Sequence, residues 1–297
     1  MKLLKKYINK VKKRVFKKKN KLPDDIRKFI PPFEKNYTAH DKKRYEKFYL
    51  HKYTNYILPE CFKRLNYDFS TFPKILDLGC GFAPMCLAAK IFRDNANLNK
   101  DDVQYIGIDI REDAIDFNKS IYKEHKNILF VHHKANDYVD YVGKFTRGGP
   151  KIQKTKSISD GSECDYKIPA QFKADIQWSG SLFTHLTYNA VKKNLEFISN
   201  HLNNNGISIN TWHIIDPESL YSLQLGIADR KLEYDMNEFL TYDKENPLRS
   251  TVYKLEYIQK AYTEAGLKIE EIIHGLWRGN KSNQLNSHQD IIIAKKS

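Results

Sequence analysis

Two glycines two residues apart, Gly79 and Gly81, follow the apolar run Lys74-Ile-Leu-Asp-Leu78, and a carboxylate, Asp77, stands two residues before the first of them. Glycines at such a point let the backbone turn sharply after a strand and approach a ligand with no side chain in the way. A second apolar run ends in Ile106-Gly-Ile-Asp109. That puts another carboxylate beside the same crevice, where it can accept two hydrogen bonds from ribose hydroxyls. Two later segments carry a different chemistry: Trp178-Ser-Gly-Ser-Leu-Phe-Thr-His-Leu186 and Asn210-Thr-Trp-His-Ile-Ile-Asp-Pro-Glu218. Their His185 and His213, with Asp216 as a third choice, can take a proton from a weak nucleophile such as a hydroxyl, which contributes roughly 10² to 10⁴ in rate. His185 lies on a possible first helical turn and equally fits a structural histidine bonded to backbone.

These residues need elements to hold them. Residues 74–78 and 103–109 have the length and apolar content of buried strands, and Pro84 opens a helical stretch through Ala88, Ala89 and Phe92. A helix over 114–122 and a strand over 128–132 repeat the unit. Strands are expected at 174–178 and 206–213, with a helix over 188–200 between them, then a helix over 254–265, a strand over 267–273 and a last strand over 290–294. Strands and helices alternating at this spacing imply a mainly parallel sheet covered on both faces. The polar stretch 143–173, with Gly148-Gly149-Pro150 and Arg147, is too irregular for core and is expected to be a loop over the acceptor. Before the first strand, residues 41–65 have aromatic residues at helical spacing with no Gly or Pro until Pro59.

The loop Ile75-Leu-Asp-Leu-Gly-Cys-Gly-Phe-Ala-Pro84, with the acidic Asp109 at the end of the second strand, resembles motif I of class I S-adenosylmethionine-dependent methyltransferases. A nicotinamide-binding domain would need Gly-x-Gly-x-x-Gly opening the helix, and here no third glycine follows Gly81. Ala83 stands where many methyltransferases have glycine, a mild departure, since alanine is the next smallest residue. The resemblance implies S-adenosylmethionine as cofactor. Gly79 and Gly81 would then lie against its methionine part, Asp77 near its amino group and Asp109 on the ribose. Asn136 and Asp137 would sit at the adenine, although Asp137 also fits a plain turn or helix cap. Cys80, Ile110 and Ser179 complete the expected lining. The segment Ser181-Leu-Phe-Thr-His-Leu186 is similar to a Ser-Val-Phe-Thr-His-Leu signature in a bacterial branch of these enzymes, many of them encoded for glycan modification. Tyr166-Lys-Ile-Pro169, Gly275-Leu-Trp-Arg278 and Gln289-Asp-Ile291 extend that likeness, so it spans about residues 70–297. It implies an α/β, Rossmann-like, doubly wound sheet of seven strands with the last antiparallel, and a sugar or glycan precursor as acceptor.

The domain boundaries expected are a basic arm over 1–22, a helical segment over 23–70 and the methyltransferase domain over 71–297, with 216–250 as an insertion. The net charge of +14 is concentrated: residues 1–21 carry eleven basic side chains and no acid, so the remainder has only +3. In that arm Leu3, Leu4, Tyr7, Ile8, Val11 and Val15 recur three or four apart, the pattern of a basic amphipathic helix suited to an anionic membrane surface. A solvated tail is the plainer alternative. Charge so localised argues against RNA or DNA as the acceptor, and no Asn/Asp-Pro-Pro-Tyr/Phe motif of the amino-methylating nucleic-acid enzymes occurs. A binding module that has kept the fold without catalysis is the non-enzymatic alternative. No run approaches the roughly 18 apolar residues of a membrane span. The four cysteines lack metal-ligand spacing and are expected as reduced thiols, with no metal and a cytoplasmic setting, peripheral on the inner membrane face if the arm binds lipid.

Overall fold

The computed structural model describes residues 2–15, 22–33, 45–68, 70–96, 98, 103–133 and 166–297. The chain forms two compact units, the first holding the described residues up to His133 and the second those from Tyr166.

In the first unit, β1 (Ile75–Leu78), β2 (Tyr105–Asp109) and β3 (Ile128–His132) lie parallel, in the order β1-β2-β3. All four β1 residues are buried, which explains why its apolar residues do not alternate with exposed ones and why Asp77 is carried inside. Two helices carry the chain between these strands: α5 (Pro84–Ala96), with Pro84 at its start, and α6 (Glu112–Ile121). Before β1 come α1 (Lys2–Val15), the single turn α2 (Asp24–Arg27), α3 (Tyr45–Lys52) and α4 (Leu58–Arg64). Between α3 and α4, residues Tyr53–Ile57 form a π turn. Pro59 accounts for it: its ring cannot donate to the carbonyl four residues back and would crowd it, and a wider turn relieves both.

The basic arm is a docked helix. Val11 and Val15 of α1 are fully buried, packed with α5, α4 and the π turn, each side chain contributing about 1.5–3 kcal/mol on burial. Lys10 Nζ donates to the Asn95 carbonyl at 2.7 Å and Arg14 pairs with Asp25. The apolar stripe read as lipid-facing is therefore spent, at these two positions, on the protein's own core. Lys5, Lys6, Lys12 and Lys13 remain exposed.

In the second unit β4 (Ala174–Ser179) pairs in parallel with β5 (Leu202–Trp212), which starts four residues earlier than expected. Between them lies the helix Tyr188–His201, capped by Thr187, whose hydroxyl accepts from the Ala190 amide. The chain closes with the helix Leu255–Glu264, then β10 (Leu267–Ile273) and β11 (Asp290–Lys296), the latter antiparallel to both β5 and β10. The seven strands run β10-β11-β5-β4-β1-β2-β3.

A second, four-stranded sheet was not anticipated. Its strands, in the order β6-β9-β8-β7, are β6 (Ile214–Ile215), β7 (Tyr234–Asp235), β8 (Phe239–Thr241) and β9 (Val252–Lys254). Strands of two or three residues leave no periodicity to detect. Ile215, Val252 and Trp277 form the small core beside them, so the insertion over 216–250 is an ordered layer with its own packing.

Candidate functional site

The glycine loop is held from four sides by the first unit. Gly79 and Gly81 have φ of +74° and +49°, and Ala83 also takes a positive φ of +55°, a conformation that glycine adopts without strain. The Gly81 amide donates to Asp109 Oδ2 at 2.6 Å, and the other Asp109 oxygen accepts from the Arg111 amide at 2.8 Å. From α6, the buried Asn118 donates its Nδ2 to the Gly81 carbonyl at 2.8 Å. From α3, the Tyr49 hydroxyl donates to the Phe82 carbonyl, and the Arg111 guanidinium lies 4.8 Å over the Phe82 ring. A Cβ added at Gly81 would meet nothing within 4 Å, so this stretch of backbone borders open space.

Burial dominates the electrostatics of both carboxylates. Burial pushes Asp77 up to about 7, aided by nearby Asp109 and only partly opposed by the Tyr105 hydroxyl, which donates to Asp77 Oδ2 at 2.6 Å. Its other oxygen is buried with no partner among the described residues. Burial likewise raises Asp109, and the Arg111 and Gly81 amides only partly offset it. Cys80 lies buried in the loop with its thiol pushed well up by burial, a small apolar filler and not a nucleophile. The Ile110 carbonyl faces His132 Nε2 at 3.0 Å.

These features fit a nucleoside carrying a positively charged amino acid group. The open backbone at Gly81 admits it, the unpartnered Asp77 oxygen can accept from an ammonium, and each Asp109 oxygen keeps a lone pair for a ribose hydroxyl. Asn136, Asp137 and Arg147 lie outside the described residues. Ser179, expected in the same lining, belongs to the second unit. It is fully buried there, accepting from Gln177 Nε2 at 2.7 Å in a chain that continues through Ser208 and Asn210 to the Tyr262 hydroxyl.

The sheet is that of the class I methyltransferase fold. No family model matches the chain. Among solved structures, an S-adenosylmethionine-dependent methyltransferase from Clostridium acetobutylicum is similar at 15% identity over 84% of this chain and 92% of its own, with a TM-score of 0.48. A Pyrococcus horikoshii protein is similar at 12% identity over 93% and 100%, with a TM-score of 0.49. The magnesium protoporphyrin IX methyltransferase of Synechocystis, solved with bound S-adenosylhomocysteine, is similar at 10% over 88% and 91%, with a TM-score of 0.46.

In the second unit the three proton-transfer candidates have different surroundings. His185, on a 3-10 turn Phe183–His185, has Nδ1 at 3.1 Å from the Leu248 carbonyl. That oxygen can only accept, so the proton sits on Nδ1. Burial lowers the ring to about 4 against the pull of the Leu248 and Arg249 carbonyls, which leaves it neutral at physiological pH. His213, only 2% exposed at the end of β5, is held neutral more strongly, first by burial and then by Arg230. Asp216 caps the helix Pro217–Gln224: its Oδ1 accepts from the Ser219 amide at 2.8 Å, with the Ser219 side chain returning a bond to the Asp216 amide. Both its oxygens also take Arg278 Nη1 at 2.7 Å. Burial would raise this carboxyl, but the Ser219 amide and Arg278 outweigh it and hold it below the usual range. Such a carboxylate is a cap and a counter-ion, poorly suited to take up a proton.

Behind Asp216 two of the segments that extend the glycan-branch likeness come together. Asp290, fully buried at the start of β11, accepts from the Gly275 amide, Trp277 Nε1, Arg278 Nε and the Ile214 amide, all at 2.7–2.8 Å. Arg278, 1% exposed, reaches on to the Ile214 carbonyl. A Cβ on Gly275 would stand 2.3 Å from the His288 carbonyl, so only glycine passes there. The motifs Gly275-Leu-Trp-Arg278 and Gln289-Asp-Ile291 thus meet as one buried ion-pair network that anchors the insertion to β5 and β11.

Proposed function

We propose that this protein is an S-adenosylmethionine-dependent methyltransferase that O-methylates a sugar or glycan precursor. The observation that carries the donor assignment is the glycine loop: open backbone at Gly81, a buried Asp77 oxygen with no partner among the described residues, and Asp109 fixed at the end of β2. The bound donor supplies a methyl carbon made electrophilic by its sulfonium. Asp77 would hold the amino group, Asp109 the ribose, and the Gly79–Gly81 backbone the methionine chain, which fixes where that carbon lies. Alignment of an acceptor oxygen with it is the main requirement.

On the acceptor side, His185 is the preferred base. Its proton sits on Nδ1 toward the Leu248 carbonyl, so Nε2 is the nitrogen that would take a proton, and burial makes the ring a weak base, suited to a hydroxyl proton that becomes acidic as the methyl group is transferred. Asp216 is assigned to holding Arg278 and the helix start. The glycan acceptor rests on the resemblance of Ser181-Leu-Phe-Thr-His-Leu186 to the glycan-associated branch, together with a base suited to a hydroxyl. Calorimetric titration with S-adenosylhomocysteine tests the donor site: micromolar binding is expected, and Asp109→Ala should abolish it. No binding to the wild type would favour a binding module without catalysis.

The arm fits a membrane surface by charge. With Val11 and Val15 buried, the exposed Lys5, Lys6, Lys12 and Lys13 would meet anionic headgroups at about 1 kcal/mol each at low salt, without insertion. Flotation with phosphatidylglycerol vesicles should fall when salt is raised or when these four lysines become glutamates. Among the described residues no helix is long and apolar enough to cross a membrane. Equal flotation of the charge-reversed protein would discard the surface.

A further inference from the structure

Arg230 stands between the helix Pro217–Gln224 and β7, in the insertion, and its guanidinium makes two directed bonds: Nη1 to the Ser250 hydroxyl at 2.9 Å and Nη2 to His213 Nε2 at 3.1 Å. A guanidinium has only donors and is never deprotonated in proteins. His213 Nε2 must therefore be the acceptor, and the single proton of the neutral ring must sit on Nδ1. That Nδ1 is buried and has no partner among the described residues. Buried donors are almost always satisfied, so an unpaired N–H points to an oxygen supplied from outside the described residues.

The surroundings keep the ring in this form. Trp277 and His288 pack edge-on against it at 5.5 and 6.1 Å between centroids. The charged and titratable groups that face it are Arg230, His288, His185 and Arg278. Arg278 is neutralised by Asp216 and Asp290, and His288 pairs with Asp229, which also lies 3.7 Å from Arg230. No carboxylate bonds the His213 ring itself in this set, so nothing there favours a second proton.

We propose that Arg230 is a positioning residue that locks His213 with its proton on Nδ1, so that His213 donates a hydrogen bond to an acceptor oxygen and does not serve as the base. This rests on the reading of the second unit as the acceptor side. On this reading His213 offers an N–H and not a lone pair.

The test is two-bond ¹H–¹⁵N correlation on the full chain labelled at histidine, without donor or acceptor, with His213 assigned by loss of its signals in His213→Gln. The expected wild-type spectrum shows a protonated Nδ1 and a bare Nε2, unchanged from pH 8 to pH 5. Arg230→Met should move the proton to Nε2 or bring the ring's titration into that window, whereas Arg230→Lys, which keeps a donor, should restore the wild-type pattern. A wild-type ring protonated on Nε2, or titrating between pH 5 and 8, overturns the proposal whether or not either variant folds. So does an Arg230→Met spectrum identical to wild type. Failure to bind S-adenosylhomocysteine would sink the methyltransferase reading but leave the tautomer measurable, so the two failures are separate.

Discussion

In the first unit the surface offered to a ligand is mostly backbone, while in the second it is mostly side chains already committed to one another. The loop at Gly79–Gly81 takes its shape from positive φ angles and from Asn118, Tyr49 and Asp109 gripping its carbonyls and amides. Burial pushes both Asp77 and Asp109 up. In the second unit Asp290, Arg278, Asp216, Arg230 and His213 form bonded chains in which nearly every charge has its partner. The lesson is that the first region gains specificity from conformations only a few residues can adopt, and the second from polar groups that become costly once a partner is removed.

The sharpest way to break this contrast is to delete a charge in the second unit. Asp290→Ala leaves Arg278 buried with half its pairing gone and strands the Gly275 and Ile214 amides. Removing one member of a buried pair costs about 3–5 kcal/mol, so urea denaturation should show a loss of that size. A loss near 1 kcal/mol would mean the network is not the anchor described. In the first unit Gly81→Ala should behave oppositely. The new methyl meets no atom, so stability should fall only by the roughly 1–2 kcal/mol of a left-handed residue. Affinity for S-adenosylhomocysteine should drop by about tenfold or more, equivalent to ~1.4 kcal/mol, because the methyl occupies the ligand's space. Unchanged affinity would displace the donor from this loop.

The two units should also differ in the sign of their pH dependence. Asp77 is raised from 3.8 to about 7 on folding, so the native state binds its proton more tightly than the unfolded chain does. Stability is then lost as pH rises from about 4 to 7, and Asp77→Asn should remove that loss. His185 is lowered from 6.5 to about 4, so the unfolded chain takes the proton first. Stability is lost as pH falls from about 6.5 to 4, and His185→Gln should remove that loss. Each change should alter the slope by about one proton, ~1.4 kcal/mol per pH unit, in denaturation curves across the two windows. Slopes that do not move would contradict the burial on which both assignments rest.

How far the sequence went follows from the range over which each feature is determined. The glycine loop, the carboxylates at 77 and 109, Pro84 at the start of α5 and the seven long strands were all legible, because turn chemistry, apolar runs and strand–helix alternation are local signals. The four-stranded sheet was not, since strands such as Ile214–Ile215 exist only through partners far along the chain. Nor was the docking of α1. Its amphipathic stripe was correctly read, but a stripe does not say whether lipid or α5 covers it, and Val11 and Val15 settled on α5. The histidines make the same point at the level of single atoms. Sequence supplied two imidazoles after two strands, and only the tertiary structure set the Leu248 carbonyl against Nδ1 of one and Arg230 against Nε2 of the other. Residue type fixes which groups can exchange a proton, whereas burial and bonding partners, assembled from distant segments, decide which nitrogen holds it.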